Sequence, residues 1–132
     1  MPSLGVADAL GLADRARFLL LDWTAANWTS LLGSGFDLVL ANPPYVSTDA
    51  RLSADVAGFE PHQALFAGAD GLDDYRMIIP ALEKLLSPTG TALLEIGFDQ
   101  AKPVSGLAAD CGYNVELKQD LGGNDRLLVL RR

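Results

Sequence analysis

The 132-residue sequence contains one cysteine, Cys111, one histidine, His62, and fewer basic than acidic residues. A lone cysteine excludes an internal disulfide and any site built from several thiolates. Its place in an apolar helical stretch points to packing rather than reactivity. His62 falls in a loop-like stretch and reads as a loop residue rather than an acid or base. Asp and Glu number 17 against 10 Lys and Arg, a formal net charge of −7. That balance opposes non-specific attraction to phosphate backbones. The one tight basic group, Arg126 with Arg131 and Arg132, reads as a solvated chain end. No apolar run approaches the ~18 residues that would cross a bilayer, and the N-terminus lacks the charged-then-apolar layout of a signal peptide. A cytoplasmic location is therefore expected. Repeats, low-complexity tracts and internal linkers are also missing, so the length bounds the chain to one domain with a modest core.

Local patterns predict alternating helices and strands. Leu4, Val6, Ala7, Leu10 and Leu12 recur at helical spacing up to a stop at Gly11. Arg17 to Leu21 is a continuous apolar run, the pattern of a strand covered on both faces, ending at Asp22-Trp23. A short helix is expected over Thr24 to Leu32, closed by Gly33-Ser34-Gly35. Phe36 to Ala41 reads as a buried parallel strand. From Val46 to Gly71 no period holds, and a long ordered loop anchored by Phe59, Leu65 and Phe66 is expected. Leu72, Tyr75, Ile79, Leu82 and Leu86 mark a helix face with Asp73 and Asp74 at its positive end, and Pro80 is expected to kink it or split off its first turn. Ser87-Pro88-Thr89-Gly90 is a stop and turn. Thr91 to Ile96 is a strand, and Asp99 caps a helix through Cys111 that Gly112 ends. Strands over Tyr113 to Lys118 and Arg126 to Leu130 follow, turned by Gly122-Gly123-Asn124. This order implies an α/β fold whose sheet is mostly parallel with an antiparallel last strand.

The most informative stretch is Asn42-Pro43-Pro44-Tyr45. Two prolines cannot continue a central strand, so the chain leaves the sheet at Asn42. In open α/β sheets the carboxyl ends of the strands are where ligands bind. The nitrogen of an amide or an aromatic amine is a poor nucleophile, because its lone pair is delocalised. Acceptors that bind its two N–H groups can aim that lone pair at an electrophile. The Asn42 side-chain oxygen and the Pro43 carbonyl would supply those acceptors on a backbone that the prolines restrict. Tyr45 offers a flat face for a planar group. Asp22, an acid beside the aromatic Trp23 at a strand end, suits the edge of an adenine, and equally an ordinary cap for the following helix. Glu60 either shapes the floor of the site or is a solvated loop carboxylate. Glu95 either supports the loop after Tyr45 or is a strand-end charge. Tyr75 and Met77 read as core.

The tetrapeptide resembles the catalytic motif of class I S-adenosylmethionine-dependent methyltransferases that act on planar nitrogen. Leu10-Gly11-Leu12, Asp14-Arg15, Asp22-Trp23, Phe59-Glu60-Pro61, Ala64-Leu65 and Gly68 lie around it. With Asp70-Gly71-Leu72, Tyr75-Arg76, Leu94-Glu95-Ile96-Gly97 and Asp125-Arg126, they are similar to the bacterial peptide chain release factor glutamine methyltransferases. The resemblance covers nearly the whole chain. It implies a Rossmann-like class I methyltransferase sheet and methyl transfer from S-adenosylmethionine to a glutamine amide of a release factor, without metal. Asn42 and Pro43 would accept from the substrate amide, Pro44 would complete the catalytic motif, and Tyr45 would pack against the glutamine. Asp22 would meet the cofactor's adenine amino group with Trp23 beside the ring; Asn42 would border the cofactor, and Glu60 the substrate. Family members also carry a glycine-rich turn after the first strand and an acid ending the second; here the glycines at 33, 35, 122 and 123 lie elsewhere. The resemblance thus implies that residues 1–132 are the C-terminal part of a catalytic domain, without the N-terminal helical domain and glycine-rich motif. An incomplete sheet would expose an apolar edge, leaving the chain poorly stable, oligomeric or rearranged at its N-terminus. Three other readings stand beside it: a ribosomal-protein glutamine methyltransferase, a nucleic-acid adenine N6-methyltransferase, and a non-catalytic truncated remnant. Charge weighs against the adenine reading.

Overall fold

The computed structural model describes residues 2–44 and 71–132. The loop expected from Val46 to Gly71 lies outside these residues apart from Gly71, and so do Tyr45, Glu60 and His62. The elements run α1 (Pro2–Ala9), α2 (Trp28–Leu32), β1 (Phe36–Ala41), α3 (Asp73–Leu85), β2 (Leu86–Glu95), α4 (Ala101–Asp110), β3 (Asn114–Gln119) and β4 (Asp125–Arg131).

The four strands form one sheet in the order β1-β2-β4-β3. β1 and β2 pair in parallel, whereas β4 lies antiparallel to both β2 and β3. Two of the three ladders are therefore antiparallel, and the expected mostly parallel sheet is corrected to a mixed one. The reason is topological. The last strand inserts between two earlier ones, so its single reversal makes two antiparallel ladders. The run Arg17 to Leu21, expected as a strand, joins no ladder; Leu20 is 93% exposed. Its Arg17 guanidinium instead donates to the Leu32 carbonyl at the end of α2, at 2.5 Å. An apolar run becomes a strand only where a neighbour offers unpaired backbone groups.

Cross-strand partners share a face of the sheet. Val39, Ala92, Leu130 and Val115 align across the four strands, as do Ala41, Leu94 and Leu128 across three. These residues pack with Tyr75, Ile78, Ile79, Leu82 and Leu85 of α3 and with Val104 and Ala108 of α4 in one hydrophobic core. Helical spacing on α3 and period two on the strands meet there, the two periodicities that let one apolar stripe cover one pleated face. Leu38 and Leu40 point the other way and are 54% and 69% exposed. Among the described residues β1 is thus an edge strand with one open face, not the buried strand its apolar composition suggested. The strands near 36–41, 91–96, 113–118 and 126–130 stay contiguous, as expected.

Several local expectations shift. α3 runs through Pro80 unbroken, with Pro80 on its exposed side. Residues 87–90 are not a stop before β2 but an excursion within it: Phe36 pairs with Leu86 and Leu38 with Thr91. Gly90 is needed there, since a Cβ at 90 would lie 2.7 Å from the Phe36 carbonyl oxygen. The helix expected from Thr24 contracts to five residues. Val6 in α1 and Leu10 just beyond its end are both exposed. α4 begins after Gln100, not at an Asp99 cap, and Cys111 is exposed just beyond its end. Met77 is 39% exposed and not core, whereas Tyr75 is wholly buried.

Of the three arginines, Arg131 and Arg132 are exposed, as a solvated chain end would be, yet all three bond to neighbouring groups. Arg126 pairs with Asp120 at 3.4 Å and Arg131 with Glu116 at 3.2 Å. Arg132 donates to the carbonyls of Glu83 (2.6 Å) and Leu86 (3.0 Å), satisfying acceptors where α3 ends. No helix among the described residues is long and apolar enough to cross a membrane.

Candidate functional site

The parallel pair β1–β2 carries the candidate site at its carboxyl edge. Ala41 pairs with Leu94, so Asn42 follows β1 at the level where β2 ends with Glu95. Asn42 is exposed, Pro43 is fully buried and Pro44 is half-buried. The buried proline anchors the exit from the strand, and the asparagine amide stands at its solvent side. φ is locked at both prolines, so the carbonyl array is stiff before any ligand arrives.

α3 leads back to the same edge. It precedes β2 and runs against it, which brings its first turn to the carboxyl end of β2. Tyr75 makes the connection: its buried ring lies in the core and its hydroxyl donates to the Glu95 carbonyl at 2.6 Å. The neighbouring Asp74 accepts from the Trp23 indole N–H at 2.6 Å. Trp23 is half-buried and packs against the core cluster. Although Arg17 to Leu21 is no strand, Asp22-Trp23 therefore still reaches the edge where the strands end, through a side-chain bond across 51 residues of sequence.

Asp22 is exposed, and its Oδ1 accepts from the Thr24 hydroxyl at 2.6 Å and the Thr24 backbone N–H at 2.9 Å. These bonds, the hydroxyl's first, hold its carboxyl below the usual aspartate range. Asp22 does not cap a helix as expected: α2 begins at Trp28 with Asn27 before it, and the Asp22 bonds close a local turn at Thr24 and Ala25. An ionised carboxylate is an acceptor only, so Asp22 can also meet an amino group.

One residue at this edge went unnoticed in the sequence. Gln100 is buried, its Oε1 accepting from the Gly97 N–H at 2.9 Å and its Nε2 donating to the Gly71 carbonyl at 3.2 Å. The sequence signal was an amide side chain between a strand-end glycine and a helix start, which propensity treats as an ordinary exposed position.

The chain is 45% identical over 131 residues to a release factor glutamine methyltransferase of Rhodospirillum rubrum, a match covering 96% of this chain and 38% of that protein. A release factor glutamine methyltransferase of Cereibacter sphaeroides is 44% identical over 128 residues, covering 95% and 44%. That of Pseudomonas aeruginosa is 40% identical over 131 residues, covering 94% and 48%. By sequence this chain belongs with the release factor glutamine methyltransferases. It spans less than half the length of each of these three relatives. No family model matches it. Among solved structures, an O-methyltransferase family protein from Burkholderia thailandensis superposes with a TM-score of 0.60 at 16% identity, covering 98% of this chain and 40% of that one. A TehB-like SAM-dependent methyltransferase from Corynebacterium glutamicum superposes with a TM-score of 0.52 at 14% identity, covering 92% and 61%. These likenesses establish the α/β fold of such methyltransferases.

Proposed function

We propose that this chain carries the methyl-accepting half of an S-adenosylmethionine-dependent protein-glutamine methyltransferase whose substrate is a peptide chain release factor. The observation that carries the reading is the exposed Asn42 amide on a backbone anchored by buried Pro43, at the carboxyl edge of the parallel pair. In this reading Asn42 and the Pro43 carbonyl accept from the two N–H groups of the glutamine amide. Holding both protons in the plane of those acceptors aims the nitrogen lone pair out of conjugation and toward the electrophile. Tyr45 packs against the glutamine, Pro44 keeps the turn rigid, and Glu60 borders the substrate.

S-adenosylmethionine, when bound, supplies an electrophilic methyl on a sulfonium. The residues present fit its adenine end, since Asp22 is an exposed, ionised acceptor and Trp23 a half-buried aromatic beside it. Asn42 fits the reacting end. Among the described residues no glycine-rich cradle serves the rest of the cofactor. Of the described glycines with left-handed φ, Gly33 (99°) ends α2, Gly35 (77°) leads into β1 and Gly123 (81°) closes a turn. The reading therefore takes residues 1–132 as the C-terminal part of a catalytic domain, with the remaining contacts to the cofactor made outside this chain. A cytoplasmic location accompanies a release-factor substrate.

Calorimetry with S-adenosylmethionine and transfer of labelled methyl to a glutamine-bearing release-factor peptide test this. Asn42→Ala should lower kcat about 100-fold or more, the scale of losing an oriented polar contact, while cofactor affinity changes little. Equal losses in both would refute the assigned role. Absence of cofactor binding at millimolar concentration would show that these residues alone are a non-catalytic remnant.

A further inference from the structure

Gln100 places a buried amide, 6% exposed, at the junction between the end of β2 and the start of α4. Removing an amide from water is costly unless both of its ends are bonded. Both ends are used. Oε1 accepts from Gly97, the second residue after β2, and Nε2 donates to the Gly71 carbonyl, 29 residues away in sequence. The main chain tightens the same turn, the Gln100 N–H donating to the Gly97 carbonyl and the Gln100 carbonyl accepting from Val104, each at 3.0 Å. Gly71, with φ 76°, lies two residues before α3. Three long-range bonds thus converge on the stretch from Gly71 to Tyr75: Gln100 to Gly71, Trp23 to Asp74, and Tyr75 to the Glu95 carbonyl. The first and third join that stretch to the end of β2, beside which Asn42 leaves β1. The second joins it to Asp22-Trp23.

We propose that Gln100 is a positioning residue of the methyl-transfer site. It braces the entrance of α3 against the end of β2 and so holds Trp23 in register with Asn42. This rests on the function proposed above. The brace needs an acceptor and a donor on one side chain of this length, because it faces an N–H on one side and a carbonyl on the other. Methionine fills similar volume and supplies neither arm, which makes Gln100→Met the informative change; Gln100→Ala serves as the second variant. Displacing reacting groups by about 1 Å costs up to roughly 100-fold in rate, so a partly loosened brace should lower kcat about tenfold in Gln100→Met.

The experiment compares Gln100→Met with the unmutated protein by amide hydrogen exchange at Gly97 and by steady-state methyl transfer to the glutamine peptide, with kcat expressed per folded molecule. The expected result is about fivefold to tenfold faster exchange at Gly97, kcat about tenfold lower, and KM for S-adenosylmethionine within about twofold. A kcat at the unmutated level in both Gln100→Met and Gln100→Ala would overturn the positioning role, and so would a loss accounted for by the unfolded fraction alone. If the complete catalytic domain containing these residues transfers no methyl before mutation, the proposed function is overturned, and the positioning role with it. Gly97 exchange unchanged by Gln100→Met would overturn the brace whatever the activity.

Discussion

Replacing Leu40 and Leu94 by alanine, one at a time, tests whether β1 is an open edge. Leu40 pairs with Leu93 on the face away from α3 and α4, and Leu94 pairs with Ala41 on the face toward them. Leu94 is fully buried, and cutting a core leucine to alanine removes transfer energy and leaves a cavity, about 2–5 kcal/mol in all. Leu40 is 69% exposed, leaving only about a third of its surface to lose. Full burial of a leucine side chain stabilises by roughly 1.5–3 kcal/mol, so Leu40→Ala should cost roughly 0.5–1 kcal/mol. Urea unfolding of both variants measures the contrast, provided the slope m stays constant, so that the midpoints report stability alone. A Leu40→Ala cost of about 2 kcal/mol or more would refute the reasoning. It would mean that this face is covered in solution, and a midpoint rising with protein concentration would identify a second copy as the cover.

Two further outcomes follow from local geometry. Gly90→Ala places a Cβ 2.7 Å from a backbone oxygen of β1 and 3.0 Å from a Leu86 methyl. Backbone cannot yield as a flexible side chain can, so a loss of about 1–3 kcal/mol is expected in a thermal melt, and an unchanged Tm would argue against this approach of the strands. Asp120 accepts backbone N–H bonds from Asn124 and Gly122 and pairs with Arg126, and these partners, Asn124 first, hold its carboxyl below the usual aspartate range. Its folded pKa lies below the unfolded one. Its stabilisation is therefore fully present above the ordinary aspartate pKa and is lost as pH falls through the depressed value. Asp120→Asn should flatten the acid end of a Tm-against-pH profile; a profile that keeps its slope would refute the assignment.

β1 was legible from its residues alone, and the reason lies in its flanks. Gly35 adopts a left-handed φ of 77° before it and two prolines follow it, so both boundaries are covalent facts rather than packing outcomes. The core face of α3 was legible for a similar reason, because Tyr75, Ile79 and Leu82 fall on one stripe and all three are buried. The order of motifs around Asn42 was likewise enough to place the chain in its family. Other features were decided only in three dimensions. Arg17 to Leu21 has the composition of a strand, but a strand exists only with a partner ladder, and composition does not name partners. The open face of β1 reflects what lies beside it, so Leu38 and Leu40 read as core from the sequence yet are exposed. β4 inserts between β2 and β3, and that choice alone turned a mostly parallel sheet into a mixed one. At the candidate site, Asn42-Pro43-Pro44 announced itself through local chemistry. The bonds that bring Trp23, Tyr75 and Gln100 to the same edge span 51, 20 and 29 residues, and no local pattern encodes pairings at that separation.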